Sequence, residues 1–80
     1  MTLSRIQKLD LLHSIDGLTL TITISDNGSQ RLVVSYYAWN DDHIFPTSYA
    51  MSYSQTDIIC NHFDSILKLL GRRVKLQLSN

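Results

Sequence analysis

Glutamate is missing from this chain altogether, so all seven acidic side chains are aspartates, and charged residues fill only 18% of its 80 positions. Disordered chains combine high net charge with few apolar residues, and 44% hydrophobic content at zero net charge excludes that class. Zero net charge also removes any global field that would draw the chain to nucleic acid or anionic lipid. Cysteine is nearly absent. Cys60 stands alone, which rules out an internal disulfide framework and fits a reducing compartment, so a cytoplasmic location is expected. Long apolar runs are absent too: the opening MTLSRIQKLDLLHSI scatters charges through its apolar residues. It has neither the continuous centre of a secretory signal nor a span of about 20 apolar residues. Export and membrane insertion are therefore not expected. Glycine occurs only at positions 17, 28 and 71, each where a turn or helix end is expected, so there is no Gly-rich phosphate loop.

What is present suffices for one α+β domain over residues 1–80, with a modest core that a partner would reinforce. Charge is unevenly placed. Residues 1–64 carry Arg5, Lys8 and Arg31 against all seven aspartates, while Lys68, Arg72, Arg73 and Lys75 follow without an acid among them.

Leu3, Ile6, Leu9, Leu12 and Ile15 recur at three-residue steps, which predicts a helix over residues 3–14 with Thr2 as N-cap. After Gly17 the run LTLTITIS alternates without exception, setting Leu18, Leu20, Ile22 and Ile24 on one face and Thr19, Thr21, Thr23 and Ser25 on the other. The DNG at 26–28 signals a hairpin. A two-residue loop would set Leu20 opposite Ser35 and mix the faces. A three-residue loop with Gly28 left-handed sets Ile22 opposite Leu32, Leu20 opposite Val34 and Leu18 opposite Tyr36, so a type I turn with a bulge is expected.

NDDH at 40–43 reads as a polar turn. A third strand is expected after Pro46, where Thr47, Tyr49, Met51 and Tyr53 alternate with Ser48, Ala50 and Ser52. Ser54 and Asp57 form a weaker capping box, and Tyr53 with Ile58 fits a hydrophobic staple at the start of a second helix. That helix carries Ile59, Phe63, Ile66, Leu67 and Leu70 as its buried stripe and ends at Gly71. Val74, Leu76 and Leu78, alternating with Arg73, Lys75 and Gln77, predict a fourth strand. The expected order is α-β-β-β-α-β, mainly an antiparallel sheet with helices on one face.

The first five elements resemble a double-stranded-RNA-binding domain in order alone. The second helix opens with SQTDIICN, an acid and no base, so the order implies no RNA contact.

Chemistry finds little support. Cys60 and His62 sit two apart on a predicted helix and point in different directions, and no C-x-x-C or H-x-x-x-H pair seeds a metal site. Histidines 13, 43 and 62 are expected to be solvated or partly packed. Asp41, Asp42 and His43 are neighbours in a turn, whereas catalytic groups converge from separate elements. Cys60 lies in mid-helix with no basic residue near it in sequence to lower its pKa, so a small buried or boundary residue is expected there. No enzyme activity, cofactor, metal or small-molecule substrate is expected.

Binding is better supported. The hairpin's outer face is expected to gather Thr19, Thr21 and Thr23 beside Val33, Ser35, Tyr37 and Trp39, unless helix 1 or the fourth strand covers the rings. Amphipathic rings supply contact area at low entropic cost, and hydroxyls bond a partner without charge. Val33, Tyr37, Trp39, Thr19, Thr21 and Thr23 are therefore the expected partner-binding residues, and the same patch predicts a weak two-fold homodimer. In general character the chain resembles small phage-encoded inhibitors, anti-CRISPR proteins included, which implies an inhibitor or adaptor that occludes a larger protein or protein complex. The alternative is nucleic-acid or acidic-partner contact through Lys68, Arg72, Arg73 and Lys75, with Arg73 and Lys75 on one strand face and the aromatics stacking on bases.

Overall fold

A computed structural model describes residues 2–45 and 49–78, with side chains described through residue 71. It is a small α+β domain in the order α-β-β-β-α-α: α1 (Arg5–His13), β1 (Leu18–Ile24), β2 (Gln30–Tyr36), β3 (His43–Ile44), α2 (Gln55–Asn61) and α3 (Phe63–Leu78).

The first helix is capped by Ser4, not Thr2. Ser4 Oγ accepts the Gln7 N–H at 3.2 Å while Gln7 Oε1 accepts the Ser4 N–H at 2.8 Å, so both partners of a capping box are in place. The three-residue stripe is only partly used: Leu12 is buried and Leu9 and Ile15 half-buried, but Ile6 is 73% exposed. Residues three apart drift by about 60° around a helix of 3.6 residues per turn, so a strict three-step stripe winds off the core face.

The hairpin takes the expected register, with Leu18 opposite Tyr36, Leu20 opposite Val34 and Ile22 opposite Leu32. Gly28 N–H donates to Ser25 C=O and Ser25 N–H to Ser29 C=O, both at 2.9 Å. Gly28 has φ +83°, the left-handed position that a three-residue loop requires.

The third strand lies earlier than alternation implied. β3 is His43–Ile44, antiparallel to β2 with Ile44 opposite Val33 and His43 opposite Val34. Of the stretch expected to pair, Tyr49 forms an isolated bridge to Gln30, residues 51–52 turn, and Pro46, Thr47 and Ser48 lie outside the described residues. Buried Gln30 explains the turn, since its Nε2 donates to Ala50 C=O at 3.1 Å and Tyr53 C=O at 2.9 Å. Those two bonds draw the chain into a loop instead of a ladder.

Ser54 caps α2 as expected, its Oγ accepting the Asp57 N–H at 3.1 Å. Beyond it the expected single helix is two, broken at His62. The fourth strand is replaced by the second half of α3. Gly71 sits inside that helix without a positive φ, so it does not cap it. The run is ambiguous in itself: Val74, Leu76 and Leu78 alternate, but Leu70, Val74 and Leu78 are four apart, a helical step. One mid-helix glycine costs about 1 kcal/mol, too little to stop a helix already propagating.

Helices and sheet meet in one core of Leu12, Leu32, Val34, Phe45, Ile58, Phe63, Ile66 and Leu70. Burying each such side chain contributes about 1.5–3 kcal/mol. Cys60 belongs to the same interior, its thiol donating toward the Arg5 carbonyl at 3.8 Å and so tying α2 to α1. An exposed Arg5–Asp57 ion pair bridges the same two helices and adds little in solvent.

Candidate functional site

The sheet runs β1-β2-β3 with β2 central. Pleating turns Leu32 and Val34 of β2 into the core, so Arg31, Val33 and Ser35 face the other way. Thr23, Thr21 and Thr19 stand directly opposite those three, and Ile44 stands opposite Val33 from the other side. All three threonines are exposed, Val33 and Ser35 are half-buried, and Ile44 is 54% exposed. The outer face thus presents a row of hydroxyls beside an apolar Val33–Ile44 centre, with Arg31 opposite Thr23 at one end. Ile44 was not among the expected binding residues. Its signal was a β-branched residue after NDD, hidden because NDDH reads so readily as turn.

Tyr37 closes one end of this row. Its N–H donates to Gly17 C=O at 3.1 Å, it is 77% exposed, and its ring lies over Gly17, where an added Cβ would stand 2.3 Å from the ring. Glycine is required there twice over, by that approach and by φ +82°. Trp39 does not join the face. The strand ends at Tyr36, the chain turns with Trp39 N–H donating to Tyr36 C=O at 2.9 Å, and the indole packs half-buried against the core, 5.7 Å from the Tyr36 ring. The expected Val33–Tyr37–Trp39 patch is therefore split: Val33 and Tyr37 with the threonines, Trp39 with the interior. Desolvation, with Tyr37 and Asp16 beside it, pushes the Tyr36 hydroxyl above its ordinary pKa.

A second cluster forms around His62. Its ring stacks on Phe45 at 4.3 Å, its Nε2 lies 3.1 Å from the Tyr49 hydroxyl, and Phe45 meets His43 edge-on at 4.8 Å. Desolvation lowers the His62 pKa. His43, expected in the turn, is instead a strand residue, while Asp41 and Asp42 remain exposed before it. Among the described residues no group of three His, Cys or Asp side chains is placed to hold a metal ion.

Lys68 is exposed on α3 and lines a shallow cleft of about 220 Å³ with His43, Phe45, Ser65 and Leu69. The side chains of Arg72, Arg73 and Lys75 lie outside the described residues, but their backbone is helical. Arg73 and Lys75 therefore share no strand face, since residues two apart on a helix do not face each other. Positions 68, 72 and 75 are the ones that fall on one helical line.

These features define a small α+β domain whose outward strand positions Thr19, Thr21 and Thr23 are exposed. No family model, curated protein or solved structure matches the chain. Among the described residues no helix is long and apolar enough to cross a membrane.

Proposed function

We propose that this protein is a non-enzymatic interaction module, an inhibitor or adaptor that lays the outer face of its sheet on a larger protein and occludes the surface beneath. The observation that carries this reading is the exposed threonine row of Thr19, Thr21 and Thr23 beside Val33 and Ile44, with exposed Tyr37 at its end. A partner gains apolar contact at Val33–Ile44 and rings them with neutral hydroxyl bonds, the arrangement of a dry centre and polar rim. Arg31, exposed opposite Thr23 at one end of the face, favours a partner with an acidic group there. Small phage-encoded inhibitors of the anti-CRISPR kind are the class this mode fits.

The test is capture from a bacterial lysate on immobilised protein. Wild type and Asn61→Ala, an exposed change on α2, should retain one stoichiometric partner. Ile44→Asp and Tyr37→Ala should lose it while keeping the wild-type circular dichroism. Equal retention by all four proteins contradicts the proposed face. The alternative, a polyanion on the line of Lys68, Arg72 and Lys75, predicts instead binding to single-stranded nucleic acid that weakens steeply with salt and with Lys68→Ala.

A further inference from the structure

The outward backbone edge of β1 carries an inference that does not rest on partner docking. β1 is an edge strand of seven residues, LTLTITI, with no charge, proline or glycine. Edge strands that stay unpaired are normally shortened, bulged or charged. The other edge of the sheet is short, at two residues in β3. β1 has none of these guards, and Ile24 is 57% exposed at its end.

Hydrogen-bond phase shows which groups that edge offers. The ladder to β2 is flanked by Tyr37 N–H to Gly17 C=O at one end and Ser25 N–H to Ser29 C=O at the other. Bonding residues alternate along an antiparallel pair, so positions 19, 21 and 23 bond inward to β2. Leu20, Ile22 and Ile24 then point both backbone groups outward. Leu18 offers its carbonyl, its N–H being taken by Ile15 C=O at 3.3 Å.

The geometry points to a two-fold homodimer in which β1 pairs antiparallel with β1 of a second copy about an axis through Thr21. The occupant follows from self-complementarity. This axis overlaps the whole strand, sets Leu20 opposite Ile22 and Leu18 opposite Ile24 of the second copy, and keeps core faces together. Leu20 and Ile22 exchange both backbone bonds across the axis, and Thr21 meets Thr21 on the outer face, where threonine pairs favour strand pairing. A two-fold contact uses the same edge on both copies, so it consumes the only long free edge among the described strands and closes. Asp16 and Asp26, both exposed, come opposite each other at the two ends of this register. Like charges so placed oppose pairing, and salt screens them, so this dimer tightens as salt rises.

The experiment is sedimentation equilibrium of the full chain at low and high salt, with disulfide trapping. Wild type should dimerise more tightly at high salt, and Thr21→Lys or Thr21→Asp should weaken dimerisation at least tenfold while staying folded. Mixing those two variants should restore a dimer, because the new charges attract. Under mild oxidation Thr21→Cys should form a covalent dimer, since opposite non-bonded pairs bring Cα atoms to about 4.5 Å, within disulfide reach. Thr19→Cys, facing Thr23 of the second copy, should not. A monomer at every concentration, open-ended assembly, or a dimer indifferent to Thr21→Lys overturns the inference. These outcomes are read from self-association alone, whereas the docking face is tested separately by partner capture at Ile44, which stands on β3 at the sheet's other edge.

Discussion

Gln30 and His62 are single residues whose roles exceed their sequence signals. Gln30 is 4% exposed and is the buried polar residue at the start of β2, where its amide holds two carbonyls from the loop before α2. Replacing it with alanine leaves both carbonyls without that donor, so Gln30→Ala should lower unfolding free energy by about 1–3 kcal/mol in urea titration. An unchanged midpoint would show that water replaces the amide. His62 sets a pH dependence. Its pKa is lowered from 6.5 by desolvation, so the folded state binds its proton less readily than the unfolded chain. The stability linked to it is complete above the unfolded value and falls as pH drops through 6.5 toward the folded pKa. Thermal melts between pH 8 and pH 5 should record this fall, and His62→Phe should flatten it.

At the scale of elements, legibility followed how uniquely a pattern fits one period. LTLTITIS has only a strand reading, and face agreement with Leu32, Val34 and Tyr36 left one loop length, so the hairpin register could be read before the fold. GRRVKLQL satisfies two periods at once. Its short alternation pointed to a strand, while the chain continued a helix begun at Phe63. Tyr49, Met51 and Tyr53 misled for another reason: their alternation is sound, but Gln30's side chain, twenty residues away, bends them into a turn. The candidate face was legible in its threonines, Val33 and Tyr37. It was illegible at Ile44 and Trp39, whose positions depend on where a strand ends. Gly71 separates the two readings of the tail. Nothing lies within 4 Å of a Cβ built there and its φ is ordinary, so Gly71→Ala should stabilise the protein by about 1 kcal/mol. A left-handed cap would make the same change destabilising, which the direction of the melting shift decides.

For the whole molecule, the described helices and the three-stranded antiparallel sheet share one core, and the strand positions that point away from it present exposed threonine hydroxyls beside Val33 and Ile44. In the proposed function, the face of those outward positions is where a larger surface completes the burial that a small domain achieves poorly alone. Pairing along β1 would widen that face without altering its chemistry. The most direct measurement is methyl NMR on the labelled protein titrated with the partner captured by wild type. The account predicts that the methyls of Thr19, Thr21, Thr23, Val33 and Ile44 shift or broaden together at equimolar partner, while Ile6 on α1 and Leu69 on α3 keep their positions. Perturbation confined to Ile6 or Leu69, with the threonine methyls unmoved, would contradict it.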